Sequence, residues 1–196
     1  MAADTDIRVG VLALQGDVSE HVRAFEQALS ARIGEHHPVV PVRRPMEIEG
    51  LDALAIPGGE STTITRLIEK NGLRRPLARF PGGIFATCAG MVLLATAVDD
   101  PRVEPLGLVD MRVVRNAFGR QHESFEADIA IEGLDSPFHA VFIRAPVAEL
   151  VGTGAEILAR LNIGAVAVRQ SLHLALSFHP ELGQDLRLHE LFLERL

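Results

Sequence analysis

The chain has 196 residues, and 19 Lys and Arg residues against 26 Asp and Glu residues give it a formal charge of −7. A length of this order fits one domain, and the 47% of hydrophobic residues excludes a disordered chain. Nucleic-acid binders carry a basic face and often aromatic side chains that stack on bases. This chain is acidic and lacks Trp and Tyr, so nucleic acid is not expected as its main partner.

One cysteine, Cys88, limits the possible sulfur chemistry. It excludes an internal disulfide and a metal site built from several cysteines, and it suits a reducing compartment. The acidic N-terminal residues 1–6 do not resemble a signal peptide. The uncharged segment at residues 82–98 contains three glycines and fits a buried strand and helix better than a membrane span. We therefore expect a cytoplasmic protein without a membrane segment.

The first half of the chain alternates apolar runs with amphipathic segments. Apolar runs predict strands, and apolar residues recurring at helical spacing predict helices. The predicted strands span 7–14, 39–42, 51–56 and 83–87. The first predicted helix ends near residue 31, and three more are predicted at 61–70, 73–79 and 89–98. Asp17 or Ser19 would cap the first helix, and Ser61 or Thr62 the second. This order predicts a parallel sheet with helices on both faces.

The second half has shorter, β-rich segments separated by turn residues. They predict additional, partly antiparallel strands at 106–114, 123–132, 140–146, 156–161 and 164–170, then a strand at 172–178 and a helix at 185–196. No repeat or long linker divides the chain. The sequence therefore predicts one α/β domain over residues 1–196, a flavodoxin-like three-layer sandwich with a mainly parallel sheet and added antiparallel strands.

Ala86-Thr-Cys-Ala-Gly90 lies between a predicted strand and a predicted helix. A nucleophile on such a sharp turn is exposed to substrate, and its neighbours must be small because the strand and helix approach closely. A thiol at the start of a helix also feels the positive end of the helix dipole, which favours the thiolate. The alternative is an inert buried cysteine, the commoner fate of a lone thiol. The nucleophile interpretation therefore requires a base nearby.

His179-Pro-Glu181 follows the last predicted strand and supplies that base. Pro180 favours an extended course, in which residues 179 and 181 project to the same side. Glu181 could then hold one nitrogen of His179, as in a catalytic triad. The alternative is a surface histidine beside a solvated glutamate. Because both Cys88 and His179 follow strands whose carboxyl ends form the ligand crevice of a parallel sheet, the pair is more informative than either motif.

Pro57-Gly-Gly-Glu-Ser61 follows a third strand. Glycines allow backbone N–H groups to point at a ligand, so the N–H groups of Gly59 and Ala89 could form an oxyanion hole. The alternative is a tight turn followed by a helix cap. The P-loop pattern Gly-x-x-x-x-Gly-Lys-Ser/Thr is absent, which argues against a phosphate loop.

Taken together, these motifs resemble the class I, or triad, glutamine amidotransferases, and more narrowly the glutaminase subunits of pyridoxal 5′-phosphate synthase. The matching segments are Gly10-Val-Leu-Ala-Leu-Gln-Gly-Asp17, Pro57-Gly-Gly-Glu-Ser-Thr62, Thr87-Cys-Ala-Gly90, Arg115-Asn-Ala-Phe-Gly-Arg-Gln121, Ser124-Phe-Glu126, Phe142-Ile-Arg-Ala-Pro146 and Ser177-Phe-His-Pro-Glu-Leu182. The Arg115 and Phe142 segments narrow the resemblance to this subunit. Ala86 stands where the family usually has glycine.

The resemblance implies a role for each matched residue. Cys88 would be the nucleophile, His179 the general acid and base, and Glu181 the residue that orients it. The substrate L-glutamine would contact Gly59, Glu60, Ser61, Arg115, Ile143 and Arg144. Gln15 would lie near the site or a partner surface, while His122 and Glu123 receive no role. No metal or bound cofactor is implied.

The resemblance also implies a partner. Ammonia that escapes into water is protonated and lost to synthesis, so a glutaminase of this kind delivers it to a synthase. That synthase would be a (β/α)₈-barrel subunit that makes pyridoxal 5′-phosphate for vitamin B6 synthesis, in an assembly with twelve copies of each subunit. The alternatives are the glutaminase of another pathway, such as imidazole glycerol phosphate or purine synthesis, a non-catalytic module on the same fold, and an unrelated cysteine hydrolase.

Overall fold

The computed structural model describes residues 7–34, 37–119 and 124–196. Its strands are β1 Val9–Leu12, β2 Val40–Val42, β3 Ala53–Ile56, β4 Gly83–Thr87, β5 Ala95–Val98, β6 Val109–Val114, β7 Ser124–Ile129, β8 Phe138–Ile143, β9 Val147–Val151, β10 Glu156–Leu161, β11 Gly164–Gln170 and β12 His173–Leu176. Its helices are α1 Val18–Ile33, α2 Ser61–Lys70, α3 Arg74–Ala78, α4 Ala89–Leu94 and α5 Arg187–Leu193, with short 3₁₀ turns at Pro45–Ile48 and Pro180–Leu182.

Ten strands form one sheet, in the order β2-β1-β3-β4-β12-β11-β9-β6-β5, with β10 paired to β11. The strands from β2 to β12 in this order are parallel. Beyond them, β11 is antiparallel to both β12 and β9, and β9 is antiparallel to β6. Strands β7 and β8 form a separate antiparallel pair. The predicted α/β class, with a largely parallel sheet and added antiparallel strands, is confirmed.

Two apolar cores cover the two faces of this sheet. On one face, Ile64 and Ile68 of α2 and Leu93 of α4 pack in one cluster with buried strand residues. On the other face, Phe25 of α1 and Phe192 of α5 pack in a second cluster. Strands β1, β3 and β4 are buried along their whole length, which explains why they are apolar at every position rather than at alternate ones. The three-layer arrangement follows from these continuous apolar runs.

Some local predictions were wrong. The helix predicted over 89–98 ends at Leu94, and its last residues form β5, which pairs in parallel with β6. Strand β9 lies in a segment for which no strand was predicted. The cap predicted for α1 lacks its side-chain bond, since Asp17 occupies the N-cap position without one. None of the helices in the described part of the chain is long and apolar enough to cross a membrane.

The parallel part of the sheet positions the candidate site. Strands β3, β4 and β12 are neighbours and run in the same direction, so their carboxyl ends meet at one edge. The loop after β3 carries Gly58 and Gly59, the end of β4 leads into Cys88, and the segment after β12 carries His179. Three distant sequence segments are thereby brought to one place.

Candidate active site

Cys88 occupies a strained turn between β4 and α4. Its backbone has φ 49° and ψ −105°, a left-handed φ that is uncommon for a residue with a side chain. Its N–H donates to Leu176 O at 2.8 Å, which fixes the turn against β12. Gly90 is required on the other side of the turn, because a Cβ there would lie 2.2 Å from Ile56 O. The close approach of helix and strand predicted for this motif is therefore present.

His179 and Glu181 pair directly, although not through the extended backbone that the sequence predicted. Pro180–Leu182 forms a 3₁₀ turn, which brings the Glu181 carboxylate back towards the ring of His179. The distance from His179 Nδ1 to Glu181 Oε1 is 2.8 Å, and both side chains are buried. The His179 N–H donates to Val141 O at 2.9 Å, which fixes the start of the turn. The predicted partnership is present, but a turn creates it.

The ring of His179 also contacts Cys88. The interaction with the Cys88 thiol raises the pKa of the His179 imidazole, and because Nδ1 pairs with Glu181, Nε2 is the ring nitrogen left for the sulfur. Gly58 allows this approach, because a Cβ at residue 58 would lie 2.4 Å from His179 Cε1 and 3.3 Å from Cys88 Cβ. Cys88, His179 and Glu181, the three residues predicted as a triad, therefore lie next to one another, with His179 in the middle.

The electrostatics of this series favour a charged imidazole. Burial by itself lowers the pKa of His179, but the hydrogen bonds to Cys88 and Glu181 outweigh it and raise the pKa to about 10. Burial of Glu181 would raise the pKa of its carboxyl, yet His21 and His179 together hold that pKa well below its ordinary value. An imidazolium between sulfur and carboxylate can donate a proton to a leaving group and stabilise a thiolate.

The glycine-rich loop after β3 lies beside Cys88. Gly59 has φ 153°, a conformation open to glycine, and the N–H of Glu60 donates to Gln15 Oε1 at 2.8 Å. Glu60, rather than the predicted Ser61 or Thr62, caps α2, with its carboxylate accepting from the N–H groups of Thr62 and Thr63. Burial opposes ionisation of Glu60, but hydrogen bonds from the hydroxyl groups of Thr62 and Thr63, together with those from their N–H groups, dominate and lower its pKa to about 2. Gln15, in the segment after β1, thus holds the loop in place.

All the predicted substrate-binding and oxyanion-hole residues line one cavity with Cys88. Its walls are Gly59, Glu60, Ser61, Cys88, Ala89, Val92, Arg115, Asn116, Ile143, Arg144 and Pro146. Cys88 Sγ lies 3.7 Å from Ile143 O, and the following residue, Arg144, has φ 43°. Arg115 places its Nη2 3.6 Å from Glu60 Oε1 at this cavity. His122 and Glu123 lie outside the described residues.

The sequence prediction missed the groups that surround the His179–Glu181 pair. His21 of α1 lies 3.3 Å from Glu181 Oε1, and Thr87 Oγ1 lies 3.4 Å from the same oxygen. Asp17 Oδ2 is 3.4 Å from His179 Nδ1. His21 occupies a helix whose apolar positions gave no reason to single it out, and only its strict burial marks it. No spacing rule connects α1 to the end of the chain.

Comparison with known proteins identifies the family. The model of the SNO glutamine amidotransferase family matches residues 11–196. The chain belongs to this family. Among similar relatives, the pyridoxal 5′-phosphate synthase subunit PdxT of Methanosphaerula palustris is 64% identical over 191 residues, covering 97% of this chain and 98% of the relative. That of Methanoregula boonei is 63% identical over 192 residues, covering 97% and 99%.

Solved structures agree with the family. A crystal structure of a glutamine amidotransferase matches with a TM-score of 0.84 at 48% identity, covering 95% of this chain and 97% of that one. The glutaminase domain of Trypanosoma brucei CTPS, solved with bound acivicin, matches with a TM-score of 0.59 at 12% identity and covers 96% and 93%. At that identity the likeness shows the fold alone. The resemblance to glutamine amidotransferases stated on the sequence motifs is confirmed.

Proposed function

We propose that the chain hydrolyses the side-chain amide of L-glutamine to L-glutamate and ammonia, and supplies the ammonia to a pyridoxal 5′-phosphate synthase. Membership of the glutamine amidotransferase family and relatives named as PdxT subunits of that synthase support the proposal. One observation supports the chemistry above all. His179 lies between Cys88 and Glu181, with Nδ1 2.8 Å from Glu181 Oε1, beside a cavity lined by polar and charged groups.

In the first half of the reaction, the Cys88 thiolate attacks the amide carbon of glutamine and forms an S–C bond. The N–H groups of Gly59 and Ala89 hold the oxygen, which gains negative charge. His179 gives its Nε2 proton to the amide nitrogen, the C–N bond breaks and ammonia leaves. Glu181 holds the opposite side of the ring throughout. The product on the enzyme is a γ-glutamyl thioester.

In the second half, neutral His179 takes a proton from water as the water oxygen attacks the thioester carbon. The C–S bond breaks, glutamate leaves, and the thiolate and imidazolium are restored. The sum is glutamine plus water giving glutamate plus ammonia. No electrons are gained or lost, so the cycle needs no redox group.

The remaining residues of the cavity would select glutamine. Arg115 and Arg144 offer guanidinium groups for the α-carboxylate, which a planar, doubly donating fork binds well. The Glu60 carboxylate, ionised across the physiological range, suits the α-ammonium group. Ser61 and Ile143 line the same cavity. These assignments favour a free amino acid over a peptide amide, because both charged ends of the substrate would be paired.

The partner in this proposal is a (β/α)₈-barrel synthase subunit in an assembly of twelve copies of each chain, in the cytoplasm. Residues 1–196 would act in it as one glutaminase domain. From the resemblance to the family, we expect a weak glutaminase activity for the chain alone and a higher activity when the synthase docks.

The test measures glutamate and ammonia from glutamine for the wild type, Cys88→Ala and Cys88→Ser, alone and with the synthase subunit. We expect the Cys88→Ala variant to lose activity by about a thousandfold or more, as loss of a nucleophile does in comparable triads. A glutamine-directed electrophile, such as a diazo-norleucine, should label Cys88 and be blocked by glutamine. Undiminished turnover by Cys88→Ala would overturn the proposal. A pull-down would reveal a synthase from another pathway.

A further inference from the structure

His21 lies beside the proposed triad and is not among the residues that line the cavity. It belongs to α1 and is fully buried. Its Nε2 is 2.9 Å from Thr87 Oγ1 and 3.3 Å from Glu181 Oε1. Thr87 is the last residue of β4 and immediately precedes Cys88. The same imidazole therefore contacts both the carboxylate of the triad and the residue before the nucleophile.

The hydrogen bonds around Thr87 indicate which ring nitrogen of His21 carries the hydrogen. The hydroxyl accepts from the N–H of Gly58 at 3.1 Å and directs its own proton towards Glu181 Oε1 at 3.4 Å. Nε2 of His21 must then carry a proton, because an unprotonated nitrogen would turn its lone pair towards a carboxylate. Nδ1 of His21 has no partner among the described residues. An unpaired acceptor at Nδ1 costs less free energy than an unpaired, buried N–H donor at the same atom would.

The Glu181 carboxylate depends on these donors because it is buried. Its Oε1 lies near three donors, the rings of His179 and His21 and the hydroxyl of Thr87. Its Oε2 has no partner within the described residues. One oxygen therefore carries all the interactions that keep the group ionised and aimed at His179. Burial raises the pKa of this carboxyl, and the hydrogen bonds from His179 and His21 lower it.

We propose that His21 is a positioning residue for the glutaminase, holding Glu181 through its Nε2–H and through Thr87 so that Oε1 orients His179. The inference rests on the proposed function. His21 touches neither the cavity nor the substrate and acts through Glu181. It differs from a simple packing residue because its contribution is one N–H donor, which a side chain of similar size can supply or lack.

Removal of that donor would change how the charges around Glu181 are balanced. His179 and His21 face the carboxylate directly, Asp17 lies 3.4 Å from His179 Nδ1, and His189 of α5 interacts with Glu181 at longer range. Without the donor, the buried carboxylate binds a proton more readily, and His179 loses its fixed acceptor. Asp17 then becomes the competing acceptor for Nδ1, in a geometry that the triad does not use.

The experiment compares His21→Leu, which removes the donor, with His21→Gln, whose amide NH₂ can reach the position of Nε2–H. The exposed His139 provides a control, His139→Gln. Glutaminase kcat and KM are measured over pH, with the synthase present, and folding is checked by thermal unfolding. For His21→Leu we expect a kcat about 10- to 100-fold lower, a KM within about threefold of wild type, and an acid limb of the kcat profile shifted to higher pH. His21→Gln should recover most of kcat, and His139→Gln should match wild type.

Thr87→Val is a second variant that tests the same inference if His21→Leu does not fold. It removes the bridging hydroxyl with little change of shape, and it should lower kcat and shift the acid limb in the same direction. The two substitutions together should cost less than the product of the separate effects, because they remove one shared support. Equal losses in His21→Leu and His21→Gln, or an unshifted pH profile in the folded variants, would overturn the inference. An inactive wild type would instead overturn the proposed function.

Discussion

Arg115 Nη1 lies 2.5 Å from Asp100 Oδ2, at a position where both side chains are mostly screened from water. Asp100 also accepts from the side chain and backbone of Arg102, and these bonds, with the charge of Arg115, hold its pKa well below the ordinary value. The Asp100 carboxylate therefore stays ionised and holds the Arg115 guanidinium in place. Arg115 is fixed in one plane, with Nη2 directed towards Glu60 at the cavity.

We expect Asp100→Asn to weaken glutamine binding rather than slow the chemistry. The amide cannot hold the guanidinium with a charge-assisted bond, so Arg115 regains freedom that substrate binding must then remove. KM for glutamine should rise about 3- to 10-fold with kcat within about twofold. Steady-state kinetics measure this, and Glu104→Gln, which removes the same charge at a surface ion pair, serves as the control. An unchanged KM would contradict the anchoring role.

Gly58→Ala should disable the proposed triad without unfolding the chain. A methyl group at residue 58 would lie 2.4 Å from His179 Cε1, so the ring would have to leave its place beside Cys88. We expect kcat to fall about 100-fold or more while the circular dichroism spectrum stays the same. Gly183→Ala is the matched control, because its nearest neighbour would be 3.7 Å away. Retention of activity by Gly58→Ala would show that the ring can tolerate displacement.

Gly90→Ala should act on stability first. Its Cβ would lie 2.2 Å from Ile56 O, a backbone atom that cannot turn away, so α4 would have to move off β3. Overpacking of this kind typically lowers the free energy of unfolding by about 1 to 3 kcal/mol or more. Chemical denaturation measures the change. A free energy of unfolding equal to that of wild type would mean that α4 can shift at little cost.

The sequence predicted the site better than it predicted the details of the chain. Cys88, the Gly59 loop and His179 each follow an apolar run, and parallel strands must end at one edge, so their meeting was predictable. The backbone after His179 was not, because Pro180 allows both an extended course and a 3₁₀ turn. The strand at Ala95–Val98 was also missed, since its apolar residues continue the helical pattern and only pairing with β6 distinguishes them. The sequence did not point to His21, because its proposed role depends on a contact with Glu181, which lies 160 positions later in the chain.

His189 should make the protein less stable as the pH falls below about 6.5. Its ring stacks on Phe85 at 4.8 Å between centroids, and neither nitrogen has a partner among the described residues. Burial is the main cause that lowers its pKa, to about 3. Between about pH 3 and 6.5, the unfolded chain therefore binds a proton at residue 189 that the folded chain does not bind. The free energy of unfolding consequently rises with pH across that interval.

We expect His189→Phe to flatten this dependence. Phenylalanine keeps the aromatic packing and removes both the titration and an unpaired buried donor. Between about pH 4.5 and 6.5, the wild type should lose up to about 1.4 kcal/mol for each pH unit relative to the variant. Glu181 adds no pH dependence of stability in this interval. Its pKa is lowered from 4.5 in the folded chain, so its contribution to the free energy of unfolding is complete above about pH 4.5. Urea unfolding at several pH values measures the difference, and parallel curves for the two proteins would mean that His189 is protonated in the folded state.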